Sequence, residues 1–240
     1  MSSATRVTKP LLWSEATVTS RAMETDTATT LMLDVPGWAG HKAGQHVDVR
    51  LTAEDGYQAQ RSYSVASAPE QGTLSLTVQR IGDGELSPWL ADMAAPGDVF
   101  EVRGPIGGWF AWDVSDGGPL YLVAGGSGVV PVMSMLRHRR ARGSDVPARL
   151  LLSARTPDDV IYRAELATEP VTLTFTRGAP PEWTGPRKRI DAELLVQAGF
   201  PPEEEPKIFV CGPTEFVETA ANLLVGLGHS PSRIRTERFG

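Results

Sequence analysis

Gly126-Ser127-Gly128, with Pro131 three residues on, follows an apolar run and has the residue types of a phosphate cradle. Small residues let a diphosphate approach the backbone amides, and a helix starting there turns its positive end toward the charge. Proline suits the first turn of such a helix, where its missing N–H would have had no partner. Taken alone, the loop is equally compatible with a plain tight turn. Valine at position 129 excludes the Gly-x-Ser-x-Gly elbow of hydrolases.

Arg61-Ser62-Tyr63-Ser64 offers a different chemistry. Arginine can pair with phosphate, tyrosine can stack on a planar ring, and a serine hydroxyl can hydrogen-bond a ring nitrogen. Strand alternation with a solvated arginine and a packed tyrosine is the alternative. Cys211-Gly212-Pro213 closes another apolar run. Its thiol reads either as a small core residue or as a group at a strand tip, where ligands of α/β folds bind.

The elements that would position these residues fall into two halves. In the first, Val47, Val49 and Leu51 share one face, and Leu74, Leu76 and Val78 share another, the period of half-buried strands. Further strands are expected at residues 16–20, 29–35, 61–65 and 99–103, with a short helix after Ser87. Six short strands separated by glycine and proline turns predict an N-terminal six-stranded antiparallel β-barrel. From Leu120 the rhythm changes to apolar strands at 120–124, 149–153, 171–176 and 207–210 alternating with helical segments. Such alternation predicts a C-terminal α/β domain with a parallel sheet. Val132, Met135 and Leu136 form the stripe by which the helix after Gly128 packs on that sheet. Residues 111–119 read as the linker, which divides the chain into domains 1–115 and 116–240.

Composition removes other classes. A net charge of −6 offers no general attraction to nucleic acid. The most apolar stretch, 120–136, is broken by glycines and Pro131, which argues against a membrane span, and the N-terminus lacks an apolar secretory segment. A cytoplasmic location is therefore expected. Cys211 is the only cysteine, so neither an internal disulfide nor a four-thiolate iron–sulfur cluster can form within this sequence. His41, His46, His138 and His229 show no paired ligand spacing, and no metal site is expected.

In order along the chain, Arg61-x-Tyr63-Ser64-x-x-Ser67, Gly84-x-x-Ser87, Gly126-x-Gly128-x-x-Pro131 and Cys211-Gly212-Pro213 resemble the motifs of the ferredoxin–NADP reductase superfamily. The resemblance spans almost the whole sequence. It implies a flavin, FAD rather than FMN, bound by the barrel, with Arg61 at its phosphate, Tyr63 against the isoalloxazine, Ser64 near the hydride-accepting N5 and Ser62 among the cofactor-binding residues. Gly84, Glu85, Leu86 and Ser87 would start a helix whose amides meet the flavin diphosphate. Val78 and Arg80 match the strand beside the flavin, where the family uses backbone contacts. Gly126, Ser127, Gly128 and Pro131 would seat NADP(H) or NAD(H). Cys211, Gly212 and Pro213 would flank the nicotinamide, Phe239 could cover the ring, and Glu237 could relay a proton. Ser64, Cys211 and Glu237 are accordingly the expected catalytic group.

Ser153 and Arg155 follow the second parallel strand, where an acid favours NAD and a base favours the extra phosphate of NADP. Arg155 points to NADPH, with Arg163 and Arg177 able to assist. The activity implied is hydride transfer from NAD(P)H to FAD, with electrons passed to an external acceptor such as a ferredoxin or partner oxidoreductase. A reductase of free flavin or small molecules, and a silent nucleotide-binding subunit, are the alternatives. The basic clusters Arg137, Arg139, Arg140, Arg142 and Arg187, Lys188, Arg189 read as solvated faces or docking sites for an acidic carrier.

Overall fold

The computed structural model describes residues 11–239. β1 (Ser14–Thr25), β2 (Ala28–Asp34), β3 (His46–Thr52), β4 (Gln58–Ser64), β5 (Leu74–Gln79) and β6 (Val99–Ile106) make one antiparallel sheet in the order β4-β3-β6-β1-β2-β5. Its two outer strands meet. Val65 bridges Leu76, and the Ala66 amide donates to the Ser75 carbonyl at 2.8 Å, which closes the sheet into the expected barrel. Alternate residues fill the interior: Leu31, Leu33, Val47, Val49, Leu74, Leu76, Val78 and Val102 are buried in one cluster. The short helical segment Trp89–Met93 adds Leu90 and Ala91 to that core.

β7 (Leu120–Gly125), β8 (Ala148–Ala154), β9 (Val171–Phe175), β10 (Lys207–Pro213) and β11 (Ile234–Phe239) form a parallel sheet ordered β11-β10-β7-β8-β9. Helix α1 (Val129–Ala141) covers one face, against Leu122, Leu150 and Phe209. After the short α2 (Arg163–Leu166), helices α3 (Ala192–Ala198) and α4 (Thr214–Gly226) cover the other, against Tyr121, Val123, Leu151 and Val210. Both faces being covered explains why these strands read as continuous apolar runs. The C-terminal segment is not among the strands expected from the sequence. β11 settles it as a strand, paired in register with β10 from Ile208–Ile234 to Pro213–Phe239.

Helix α1 is buried far beyond its expected stripe, since every residue from Val129 to Leu136 is enclosed. The barrel covers its second side. The Ser134 hydroxyl donates to the Ser67 carbonyl at 2.7 Å. His138 Nδ1 lies 2.8 Å from Glu70 Oε1. The Tyr162 hydroxyl meets Thr77 Oγ1 on β5. Arg137 donates to the Ala66 carbonyl at 2.6 Å and to Glu165 at 2.6 Å, with its guanidinium over the Tyr162 ring at 4.3 Å. This corrects the reading of the first basic cluster. Arg137 is a partly buried tie between the sheets, and Arg139 and Arg140 are held by Val146 and Glu165. In the second cluster Arg187 donates to carbonyls at 180, 181 and 183, and Lys188 pairs with Asp191 and Glu193.

Candidate functional site at the seam between the sheets

Strand β4 lays out the first set of groups. Arg61 and Tyr63 oppose Val49 and Val47 on β3, whereas Ser62 and Ser64 oppose Asp48 and His46 on the other face. Arg61 is exposed, and its guanidinium lies 3.4 Å from Glu85 Oε2, a distance that leaves it available to an anion. Glu85 accepts from the Tyr57 hydroxyl at 2.6 Å. Burial pushes the Tyr63 hydroxyl up to about 12, so the ring stays neutral. Ser62 is committed to Asp48 at 2.7 Å.

The segment from Gly84 to Ser87 wraps beside this strand. Ser87 Oγ accepts from the Ile81 amide at 3.0 Å, and a Cβ at Gly84 would lie 2.8 Å from that hydroxyl. Leu86 is buried in the barrel core, and Arg80 is exposed with Asp92 at 3.4 Å. Val78 departs from its expected place beside a ligand. Its side chain is fully buried, and the Arg80 amide donates to Thr27 at 2.7 Å, so two-residue alternation turns the Val78 backbone groups toward Thr29 on β2. The backbone groups on the open side of β5 belong to Thr77 and Gln79.

The loop Gly126–Gly128 is a single tight turn between β7 and α1. Gly126 has φ 55° and open space where a Cβ would be. Gly128 is its opposite, because a Cβ there would collide with the Cys211 carbonyl. The loop is thus pressed onto β10 beneath and open above, as close phosphate approach requires. Pro131 is buried in the first turn of α1. Ser153 lies beside Gly125 in register. Arg155 and Arg177 come together, for the Arg177 and Gly178 amides both donate to the Arg155 carbonyl at 3.0 and 3.1 Å. Arg163 instead lines a groove of about 430 Å³ with Leu166, Leu173, Phe175 and Trp183.

Cys211 sits inside the seam rather than at its surface, 1% exposed. Burial and the adjacent Glu237 charge push its thiol well above the usual range, which keeps it protonated and poorly nucleophilic. Cys211 and Glu237 are register partners on β10 and β11, followed by Gly212 with Arg238 and Pro213 with Phe239. Phe239 is 37% exposed. Glu237 Oε1 lies 3.4 Å from His46 Nδ1, across from one sheet to the other, while Glu237 Oε2 is buried with no hydrogen-bond partner among the described residues.

These groups suit a flavin and a dinucleotide. The orphaned Glu237 oxygen needs a donor, Gly126 leaves room above the loop, and Arg61 offers an exposed charge on β4, three residues before Ser64. His46 and Thr77 belong to no motif and were missed. An isolated histidine gives no signal of its own, and Thr77 shows its role only through Tyr162, 85 residues away.

Residues 15–110 match the model of an oxidoreductase FAD-binding domain, and residues 122–222 that of an oxidoreductase NAD-binding domain. The glycine betaine monooxygenase reductase subunit of Pseudomonas aeruginosa is 34% identical over 218 residues, covering 87% of this chain and 59% of that protein. The chain thus spans about three fifths of that relative's length. Ferredoxin–NADP reductase B of Sorangium cellulosum is 33% identical over 211 residues, covering 82% of this chain and 85% of its own. The crystal structure of the Amycolatopsis cytochrome P450 reductase superposes with a TM-score of 0.82 at 28% identity, covering 98% of this chain and 72% of that one.

Proposed function

This chain belongs to the ferredoxin–NADP reductase superfamily, and on that premise we propose that it carries electrons from NADPH, in preference to NADH, through FAD to a separate acceptor. One observation carries the reading. Ser64 from the barrel, the Gly126–Gly128 loop, and Cys211 with Glu237 from the parallel sheet converge on a single seam whose buried Glu237 oxygen has no hydrogen-bond partner among the described residues. FAD, when bound, accepts a hydride and releases electrons.

The residues divide that work. Arg61 and the amides of Gly84, Glu85, Leu86 and Ser87 hold the flavin diphosphate, Tyr63 covers the ring, and Ser64 faces N5. Gly126, Ser127, Gly128 and Pro131 seat the dinucleotide diphosphate at the start of α1. Cys211, Gly212 and Pro213 wall the nicotinamide pocket and exclude water, since hydride transfer needs alignment and no nucleophile. Arg155, joined to Arg177, receives the extra phosphate, with Ser153 beside the ribose. Phe239 covers the ring until the nicotinamide arrives, and Glu237 holds or moves a proton. We place the boundary between the flavin unit and the dinucleotide unit at residues 115/116.

The acceptor we propose is a partner protein, an oxygenase component or a ferredoxin, met in the cytoplasm where NADPH is supplied. Support comes from the name of the Pseudomonas relative, a reductase subunit of a monooxygenase. Among the described residues no helix is long and apolar enough to cross a membrane. Anaerobic titration of the FAD-loaded protein with NADPH and with NADH tests the reading. Bleaching of the flavin absorbance at lower NADPH than NADH is expected, and a flavin that neither nucleotide bleaches would overturn it.

A further inference from the structure

Tyr57 ends the turn between β3 and β4. Its carbonyl accepts from the Ala53 amide at 2.8 Å and its amide donates to Asp55 Oδ1 at 3.0 Å, so the backbone is fixed while the residue stays 57% exposed. The hydroxyl of that exposed ring is committed. It donates to Glu85 Oε1 at 2.6 Å, and the Arg61 guanidinium lies 3.4 Å from Oε2 of the same carboxylate. Glu85 thus reaches from the 84–87 segment to a ring and to a cation at once. Residues 59, 61 and 63 share one face of β4, opposite Leu51, Val49 and Val47, and Tyr57 continues that row with only the small Ala59 between it and Arg61. At a rise of about 3.3 Å per residue, Tyr57 stands about 13 Å along the chain from Arg61, on the side away from Tyr63. A flavin seated with its ring at Tyr63 and its phosphate at Arg61 carries any further nucleotide toward the Tyr57 ring.

The charges on these two segments are mostly acidic. Glu54 and Asp55 are exposed in the turn before Tyr57, and Asp83 is exposed two residues before Glu85. Arg80, the next cation along the chain, has Asp92 at 3.4 Å. Arg61 is therefore one cation with a carboxylate already beside it. A phosphate monoester, the end of FMN, carries about −1.5 to −2 at pH 7. Each phosphate of the diphosphate bridge in FAD is esterified on both sides and carries a single charge. The same carboxylate repels the first more than the second.

We infer that Tyr57 and Glu85 make this site choose FAD over FMN, the Tyr57 ring seating the adenine while the Glu85 carboxylate holds that ring and repels a phosphate that ends the ligand. The inference rests on the placing of the flavin phosphate at Arg61 proposed above. Tyrosine suits the task because every base has a flat face to stack on it, and a ring whose hydroxyl is already bonded to a charged oxygen loses little freedom when the base arrives. The carboxylate does its second part without touching the ligand. It leaves Arg61 enough charge for one phosphate of a bridge and too little for a dianion.

The test equilibrates the full chain with equal concentrations of FAD and FMN, separates it by gel filtration and measures the ratio of the two flavins it retains. Titration with each flavin alone then shows which affinity has moved. The wild-type protein should retain FAD over FMN. Tyr57→Leu should lower the ratio about fivefold to a hundredfold through a weaker hold on FAD, with FMN unchanged. Glu85→Gln keeps an acceptor for the Tyr57 hydroxyl and drops only the charge. It should lower the ratio about threefold to tenfold through a gain in FMN affinity, and that gain should shrink at high salt. An unchanged ratio in either variant, an equal loss of both flavins, or a wild type that takes the two alike would each overturn the selection, while bleaching of the bound flavin by NADPH keeps the reductase reading standing. Arg61→Ala should weaken both flavins together; if it alters neither, the phosphate lies elsewhere and the inference falls with its premise. A wild-type chain that selects FAD and is not bleached would sink the reductase reading and leave the selection in place.

Discussion

Arg137, near the end of α1, donates to the carbonyl of Ala66 at 2.6 Å, so a side chain of the parallel-sheet half satisfies the backbone of the barrel half. The same guanidinium grips Glu165 and lies over Tyr162. Replacing Arg137 with Met should strand the Glu165 carboxylate on Arg140 alone and cost about 1–3 kcal/mol, less than a fully enclosed pair because both partners touch solvent. Thermal unfolding of the two proteins at pH 7 measures it. Equal midpoints would remove Arg137 from the account of the interface.

The same pair sets an acid limit. Burial alone would raise the Glu165 carboxyl, but its bonds from Arg137 and Arg140 outweigh that and hold it below the usual range. A carboxyl lowered by folding contributes stability that is complete above its unfolded value, about 4.3, and is lost as pH falls through the lower folded value. Wild-type stability should therefore drop on moving from pH 5 toward pH 3, and the drop should be smaller in Arg137→Met. Parallel pH profiles for the two would contradict it.

Dinucleotide choice is expected to sit at Arg155. Exchange to Asp removes a cation and places an anion near the extra phosphate, and a charged hydrogen bond is worth about 1.5–3 kcal/mol. The ratio of kcat/KM for NADPH over NADH should fall by roughly tenfold to a hundredfold. A uniform loss for both nucleotides would show that Arg155 does not read the phosphate.

Cys211 should resist alkylation. Its thiol is enclosed and held protonated beside Glu237, so iodoacetamide at pH 8 should label it only after denaturant is added. Rapid labelling of the folded protein would mean that the seam opens far more than its contacts suggest.

Gly128→Ala should damage the fold, since its Cβ has the Cys211 carbonyl in its way, whereas a Cβ at Gly126 has free space. Overpacking of this kind costs about 1–3 kcal/mol, and an alanine forced to the positive φ of Gly126 about 1–2 kcal/mol. Gly126→Ala should thus fold and lose dinucleotide affinity, while Gly128→Ala loses stability first. Chemical denaturation and NADPH titration of the two variants separate these outcomes.

Both sheets were legible in the sequence because their burial patterns are simple. Val47, Val49 and Leu51 repeat every two residues on a strand with one face in the core, and residues 120–124 are apolar throughout because helices cover both faces. β11 was harder, since Arg235, Thr236, Glu237 and Arg238 are polar on an edge strand. Arg137 misled for a different reason. A charge near a helix end usually meets water, and only the folded chain brings the Ala66 carbonyl, 71 residues away, to its guanidinium. His46 carried no signal because its partner Glu237 lies almost the whole chain away.

The contact of Gly128 with the Cys211 carbonyl also tells an engineer where this protein can be changed. The floor of the nucleotide loop has no slack and must be left alone. Adjustable parts lie at the strand tips, where Arg155 and Arg177 share a backbone turn and face outward. On the proposed reading of Arg155 and Arg177 as the pair that receives the extra phosphate, retargeting the protein to another nicotinamide donor would mean rewriting two surface letters, with the cradle kept as found.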